Sequence, residues 1–182
     1  FFQSMKKIEI PFSESSLLHP GYAIYLISTI SKDKIYNIAP YGMVICISYS
    51  PLTYLVASDK DRDTYRNILD TGEFVINIPT MEILENTIIC GKISGREYDK
   101  FKKAKLTPIP AKSVKPPIIK ECIAHLECKL INLLVTGDHG LFIGEVTKAY
   151  VNEKVFHEGI YNIEKVKLIY HIGKDYYTSL IP

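Results

Sequence analysis

The stretch ASDKDRDTYRNI, Ala57 to Ile68, lies where one periodicity gives way to another. The apolar run TYLVA before it reads as a strand. After it, Tyr65, Ile68 and Leu69 stand at i, i+3 and i+4, one face of a short helix. Asp61 or Asp63 is placed to serve as N-cap, and Gly72 falls where a C′ glycine belongs. Between strand and helix stand two cations, Lys60 and Arg62, and two hydroxyls, Ser58 and Thr64. The first turn of a helix leaves backbone N–H groups without partners and carries partial positive charge, so it accepts phosphate readily. Arg62 adds a fork of donors, Lys60 a point charge, and the hydroxyls two further donors. The ordinary alternative is a helix cap among solvated surface charges.

Outward from this junction the chain reads mostly as strands. YAIYLIST (22–29) is β-branched and aromatic, followed by a polar turn. IYNIAP begins a second strand that Pro40 interrupts, because proline cannot donate to a ladder. GMVICISYS and TYLVAS are a third and a fourth, and EFVINIP returns to a strand after the helix. Short strands with frequent turn signals favour a barrel or sandwich over a parallel sheet. MEILENTIICGK reads as a second helix and EYDKFKKA as a third. LTPIPAKSVKPP (106–117) holds four prolines and reads as an extended connector: a lid, an arm clasping a partner subunit, or a rigid surface crossing. HLECKLINLLVTGDHGLFIGEVTKAYV reads as a long hairpin turning at GDHG, and the tail KLIYHIGKDYYTSL holds one or two short strands.

Composition sets the bounds. The chain has 182 residues, 47% of them hydrophobic, enough for one domain with a sizeable core. The net charge of +2 is far from the lopsided balance of a nucleic-acid binder. No apolar run reaches the roughly 18 residues that would span a bilayer, and no signal peptide is visible, so a cytoplasmic protein is expected. The opening FFQS reads as a tag-cleavage remnant, so residues 1–4 are set apart and residues 5–182 are read as a single domain. Cys46, Cys90, Cys122 and Cys128 form no Cys-x-x-Cys and match no zinc spacing. They are expected to be reduced and mostly buried, and no metal site is expected.

A second stretch narrows the reading. IYNIAPYGM (35–43) places Asn37, Ala39, Pro40 and Tyr41 together. A small residue beside a proline leaves backbone approachable by a flat heterocycle, whose carbonyls and ring nitrogens backbone N–H groups could bond. The alternative is a barrel corner where proline bends an edge strand.

In order along the chain, NIAPYG, LVAS, RDTYRNI, TGEFVINIPT, YDKFKKAKLTPIPA, HLECKL, FIGEV and HIGKDYYT resemble the flavin reductase-like, FMN-binding split-barrel family, which includes the flavoredoxins. The resemblance runs from about Gly21 to Ser179. It implies a mainly β fold, a six-stranded antiparallel split β-barrel with flanking short helices, usually a homodimer with FMN at the interface. It implies that Ser58, Lys60, Arg62 and Thr64 hold the FMN phosphate, and that Asn37, Ala39, Pro40 and Tyr41 line the isoalloxazine through backbone groups. Lys100 and Phe101 match a motif close to the flavin, and Tyr177, or its neighbour Tyr176, falls where the family places an aromatic. The chain departs from the pattern at Lys105, where the family often has glycine, at the entry His19-Pro20-Gly21, and at the single Gly173 near the end.

Such a protein works through its cofactor, so no side-chain catalytic residue is expected. Three functions follow. The first is an NAD(P)H-dependent flavin or ferric reductase. The second is an electron carrier of flavoredoxin type with a protein redox partner. The third is a barrel that stacks nucleic-acid bases on some of its 13 tyrosines, which the near-neutral charge disfavours. Of the histidines, His125 reads as a packed strand residue and His139 as a solvated turn residue, and His157 with Glu158 stands at no metal-binding spacing.

Overall fold

Residues 7–180 are described by a computed structural model, and the expected tag remnant, residues 1–4, lies outside them. In chain order the elements are β1 (Tyr22–Ala23), β2 (Tyr25–Ile30), β3 (Tyr36–Tyr41), β4 (Val44–Tyr49), β5 (Leu52–Asp59), α1 (Asp63–Thr71), β6 (Glu73–Ile78), α2 (Leu84–Lys92) and α3 (Lys100–Ala104). There follow β7 (Pro108–Ile109), β8 (Ile118–Ile119), the long β9 (Ala124–Thr136) and β10 (His139–Val151), β11 (Phe156–His157), β12 (Ile160–Tyr161), β13 (Tyr170–Gly173) and β14 (Tyr176–Thr178).

The main sheet is antiparallel with strand order β3-β2-β6-β9-β10-β5-β4. Its two edge strands are consecutive in the chain, with only Gly42 and Met43 between them. The Ala57 N–H donates to Met43 O at 3.0 Å, so the β4–β5 ladder continues into the link. β3 and β4 are therefore one bent strand shared by both edges, and counting it once gives the expected six-stranded split barrel. The bend needs glycine: a Cβ on Gly42 would lie 2.8 Å from Tyr22 Cβ.

Local differences from the sequence reading have tertiary causes. The run YAIYLIST breaks at Ile24, whose N–H donates to Ile169 O at 2.9 Å. β1 pairs with the tail strand β13, and β2 with β3 and β6. Pro40 does not interrupt its strand. Among the described residues β3 has a ladder neighbour only in β2, so the missing N–H is tolerated at this edge. In α1 the buried residues are Thr64, Asn67 and Ile68, while Leu69 is 53% exposed. The N-cap is Arg62, without a side-chain cap bond, rather than Asp61 or Asp63; Gly72 ends the helix in the left-handed region, as expected. The long hairpin forms as expected, with Thr136 opposite His139 across Gly137-Asp138.

Two apolar clusters hold these parts. Inside the barrel lie Ile27, Val56, Phe74, Ile76 and Phe142, and Ile68 packs into the same cluster from α1. On the outer face of β2 and β3, Leu26 and Ile38 pack against Cys90 of α2 and Phe101 of α3. This second layer explains why β2 is buried on both faces instead of alternating.

The proline-rich connector crosses the surface, with short β7–β8 pairing at its ends. Between them its backbone is held by side chains. Glu127, 0% exposed, accepts from the Lys112 and Ser113 N–H groups at 2.8 and 2.5 Å, and Glu73 accepts from the Lys115 N–H at 2.9 Å. The Ser28 hydroxyl donates to Pro117 O at 2.5 Å. Cys90, Cys122 and Cys128 are buried and Cys46 partly so, and all four are free thiols.

Candidate functional site

At one mouth of the barrel β3, the end of β5 and the start of α1 meet. On β3 the residues Asn37, Ala39 and Tyr41 lie opposite Thr29, Ile27 and Tyr25 of β2, and Ile27 belongs to the interior cluster. Paired residues share a face, so Asn37, Ala39 and Tyr41 are on the interior side. The Asn37 amide Nδ2 donates to Thr64 Oγ1 at 3.2 Å, and the Tyr41 hydroxyl lies 2.8 Å from Ser58 Oγ. Asn67 Nδ2 donates to Thr29 Oγ1 at 3.0 Å and ties α1 to β2. The two stretches singled out in the sequence are thus bolted together by side chains. Ser58, Thr64 and Asn37 are all buried, and their hydrogen bonds are internal. Burial pushes the Tyr41 phenol up, while hydrogen bonding to Ser58 and Thr64 and the charge of Arg62 pull the other way.

The start of α1 carries charged residues on both sides of its first turn. Arg62 is mostly exposed, with Asp59 3.7 Å away. Lys60 is engaged elsewhere: its ammonium donates to Gly137 O at 2.7 Å and braces the hairpin turn. The Asp63 carboxylate accepts from Arg66 and, at 2.9 Å, from Arg96. Burial pushes that carboxyl up, but these bonds outweigh it and hold it below the usual aspartate range.

Asn37 Oδ1 is buried and has no hydrogen-bond partner among the described residues. A Cβ on Gly95 would lie 2.7 Å from it and 3.2 Å from Asp63 Oδ2. Glycine lets the loop pass close by, where a side chain would strike both oxygens.

The remaining expected residues are distributed around β3. Ala39 is partly buried opposite Ile27. Pro40 and Tyr177 border a small cavity of about 230 Å³ with Thr87 and Gly91. The Thr87 hydroxyl is buried without a partner among the described residues. Tyr176, the neighbour of Tyr177, is 68% exposed. Phe101 lies in the helix-covered layer, edge-on to Tyr36 with ring centroids 6.2 Å apart. Lys100 is buried and donates to Cys90 O at 2.9 Å near the end of α2. Burial pushes its amine below the usual lysine value.

Arg96 was not expected from the sequence. It bridges the Asp63 carboxylate and the Asp61 carbonyl (2.8 Å), pinning the loop after α2 across the start of α1. An arginine in the irregular segment SGRE carries no periodic signal. His125 is packed, with Nδ1 2.8 Å from Asn77 Oδ1, and burial lowers its pKa to about 4. His139 is partly buried, with Nδ1 2.6 Å from Asp138 Oδ1. Among the described residues no three His, Cys, Asp or Glu gather as a metal site, and no helix is long and apolar enough to cross a membrane.

Comparison with known proteins bears on this arrangement. The family model for the flavin reductase like domain matches residues 19–178. A protein of Aquifex aeolicus is 37% identical over 159 residues, covering 84% of this chain and 81% of its own. The flavoredoxin of Desulfovibrio vulgaris superposes with a TM-score of 0.85 at 27% identity, over 98% of this chain and 94% of its own. A flavoredoxin of Methanosarcina acetivorans shares the fold, with a TM-score of 0.87 at 24% identity over 98% and 93% of the two chains.

Proposed function

This chain belongs to the flavin reductase-like domain family, and on that footing we propose that it is an FMN-binding redox protein, acting as an NAD(P)H-dependent flavin or ferric reductase. The observation that carries the reading is the pair of bonds Asn37–Thr64 and Tyr41–Ser58, which brings the NIAPYG segment to the start of α1. In this reading Arg62 and the first N–H groups of α1 receive the phosphate. Ser58 and Thr64 hold that corner in shape from within, and Lys60 supports it through the hairpin turn. The backbone of Asn37 to Tyr41 lines the ring, with Pro40, Tyr177, Lys100 and Phe101 around it. The residues fit such a cofactor: Asn37 Oδ1 is buried without a partner among the described residues, an acceptor that a ribityl hydroxyl or a ring N–H could satisfy. A single phosphate-binding cluster, without a second glycine-rich loop, favours FMN over FAD.

When bound, the flavin takes up hydride and passes electrons on singly or in pairs. The chain's part is to anchor, orient and shield it. Backbone donors on β3 are fixed by the β2 ladder and by the Tyr41 and Asn37 bonds, so their dipoles are preorganised.

The subunit is proposed to pair with a second copy. On the outer face of the barrel, Ile45 lies opposite Leu55, and Leu55 opposite Ile143. Ile45 and Ile47 are 59% and 45% exposed. An apolar stripe of this kind on a sheet face suits a self-complementary interface.

The likeness to the Desulfovibrio vulgaris flavoredoxin supports a second reading, an electron carrier with tightly held FMN and a protein partner. Anaerobic mixing with NADH and NADPH separates the two. Rapid bleaching of the flavin by either nucleotide is the result the reductase reading expects. Bleaching far slower than turnover would leave the carrier.

A further inference from the structure

Helix α3 and the proline-rich connector carry charge of one sign. Residues 100–120 hold seven lysines and no acidic residue, although the whole chain is only +2. The rest of the chain is therefore net acidic, and the excess of positive charge sits in this segment. Lys100 is buried, whereas Lys102, Lys103, Lys105, Lys112, Lys115 and Lys120 are exposed. The carboxylates beside the segment grip its backbone, not its ammonium groups. Glu121 accepts from the Thr107 N–H at 2.9 Å, Glu127 from the Lys112 and Ser113 N–H groups, and Glu73 from the Lys115 N–H. Asp99 pairs with Lys102, at 3.5 Å. Lys103 and Lys112 lie over the Tyr98 and Tyr150 rings, 5.1 and 5.0 Å from the centroids, contacts that leave their charge uncompensated. Among the described residues no carboxylate lies within ion-pairing distance of Lys103, Lys105, Lys112, Lys115 or Lys120.

The segment is a stiff ribbon. Pro108, Pro110, Pro116 and Pro117 fix φ along it, and the β7–β8 pairing closes its ends. The Lys120 N–H donates to Thr107 O at 3.0 Å, which brings Lys120 to the base of the ribbon near Lys105, while Lys112 and Lys115 stand in its loop. A partner therefore has side chains to order but little backbone, which keeps the entropic cost of docking low. Lysine ammoniums are strongly hydrated point charges, and exposed charges of one sign steer a partner of the opposite sign and speed its encounter. The net acidic remainder would repel a polyanion that runs past the ribbon, such as nucleic acid or an anionic membrane. A compact acidic protein meets the ribbon alone.

We propose that this lysine ribbon is the docking surface for a small acidic electron-transfer protein. The partner's redox character rests on the flavin reading: α3 opens the ribbon, and its Phe101, assigned beside the cofactor, packs in one layer with Ile38 of β3. A protein seated on the ribbon is thereby brought to the edge of the proposed flavin site.

The test is a calorimetric titration of the protein, as purified, with two acidic one-electron carriers, a ferredoxin and a flavodoxin, at about 20 and about 200 mM salt. Cytochrome c serves as a basic control, and a single-stranded oligonucleotide and phosphatidylserine vesicles as other polyanions. At least one acidic carrier should bind, about tenfold or more weaker at the higher salt, and cytochrome c should not. The triple variant Lys105→Gln, Lys115→Gln, Lys120→Gln should weaken that binding about tenfold, while flavin content and unfolding temperature hold. The same change at three exposed lysines outside the segment, Lys34, Lys154 and Lys165, should weaken it by less than about threefold. Binding of neither carrier, binding indifferent to salt, equal losses in the two triple variants, or tighter binding of the oligonucleotide or the vesicles would overturn the proposal. Flavin content is read separately. Carrier binding by a protein that takes up no flavin would leave the docking surface standing and remove the flavin reading, whereas a flavin-loaded protein that binds neither carrier would remove the docking surface alone.

Discussion

Tyr41 and Ser58, on strands that enclose the barrel mouth, place their hydroxyl oxygens 2.8 Å apart. The bond joins β3 to the end of β5 at the point where α1 begins. Tyr41→Phe and Ser58→Ala should each cost roughly 0.5–1.5 kcal/mol of stability, the usual worth of a part-buried neutral hydrogen bond. The double variant should cost less than the sum, because both changes delete one contact. Urea unfolding of the four proteins measures this. Strict additivity would mean that the two hydroxyls do not work as a pair.

Arg62 and Lys60 stand two residues apart but have different surroundings. Arg62 is mostly exposed and held only by a long, 3.7 Å contact with Asp59, whereas the Lys60 ammonium is held by Gly137 O at 2.7 Å. Arg62→Ala should therefore weaken FMN by about 10–150-fold, the worth of a lost charged hydrogen bond, and Lys60→Ala by much less. Flavin fluorescence titration gives both constants. Equal, small losses would place the phosphate elsewhere.

Glu127 supports the connector from beneath. It accepts the Lys112 and Ser113 N–H groups, the Ser113 hydroxyl, and the Tyr150 hydroxyl at 2.9 Å. Burial pushes its carboxyl up, but these donors outweigh it and hold the pKa below 4.5, its ordinary value. A lowered folded-state pKa means that the ionised group adds stability above about pH 4.5, and that this is lost as pH falls through the lower folded value. Glu127→Gln should cost about 2 kcal/mol near neutral pH, because an amide leaves donors facing donors. The gap between variant and wild type should narrow below pH 4. Chemical unfolding at the two pH values measures it, and a gap that widens in acid would refute the linkage.

What the sequence made legible was whatever is decided locally. The β9–β10 hairpin follows from its Gly137-Asp138 turn, and Gly72 marks the end of α1 because a left-handed residue is needed there. The order of motifs from Asn37 to Tyr177 carried the barrel. What stayed hidden depends on distant partners. Leu69 continues the helical spacing but faces solvent, because Asn67 and Thr64 are drawn inward by Thr29 and Asn37. The break at Ile24 is imposed by Ile169, far away in the tail. Arg96 and Glu127 act on segments remote in sequence, so neither shows in any local pattern.

The apolar stripe around Ile45 predicts a dimer in solution. Light scattering at micromolar concentration should give twice the chain mass, and Ile45→Lys should shift it toward the monomer by placing a charge in the stripe. A wild-type monomer with flavin bound would contradict the pairing.

The central claim is that the corner built by Asn37, Tyr41, Ser58, Arg62 and Thr64 serves FMN. The most direct measurement is to reconstitute the protein with a mixture of FMN and FAD, remove unbound flavin, release what remains by denaturation and identify it by mass. The account predicts about one FMN per chain, with most of it lost in Arg62→Ala. Stoichiometric FAD, or no retained flavin, would contradict it.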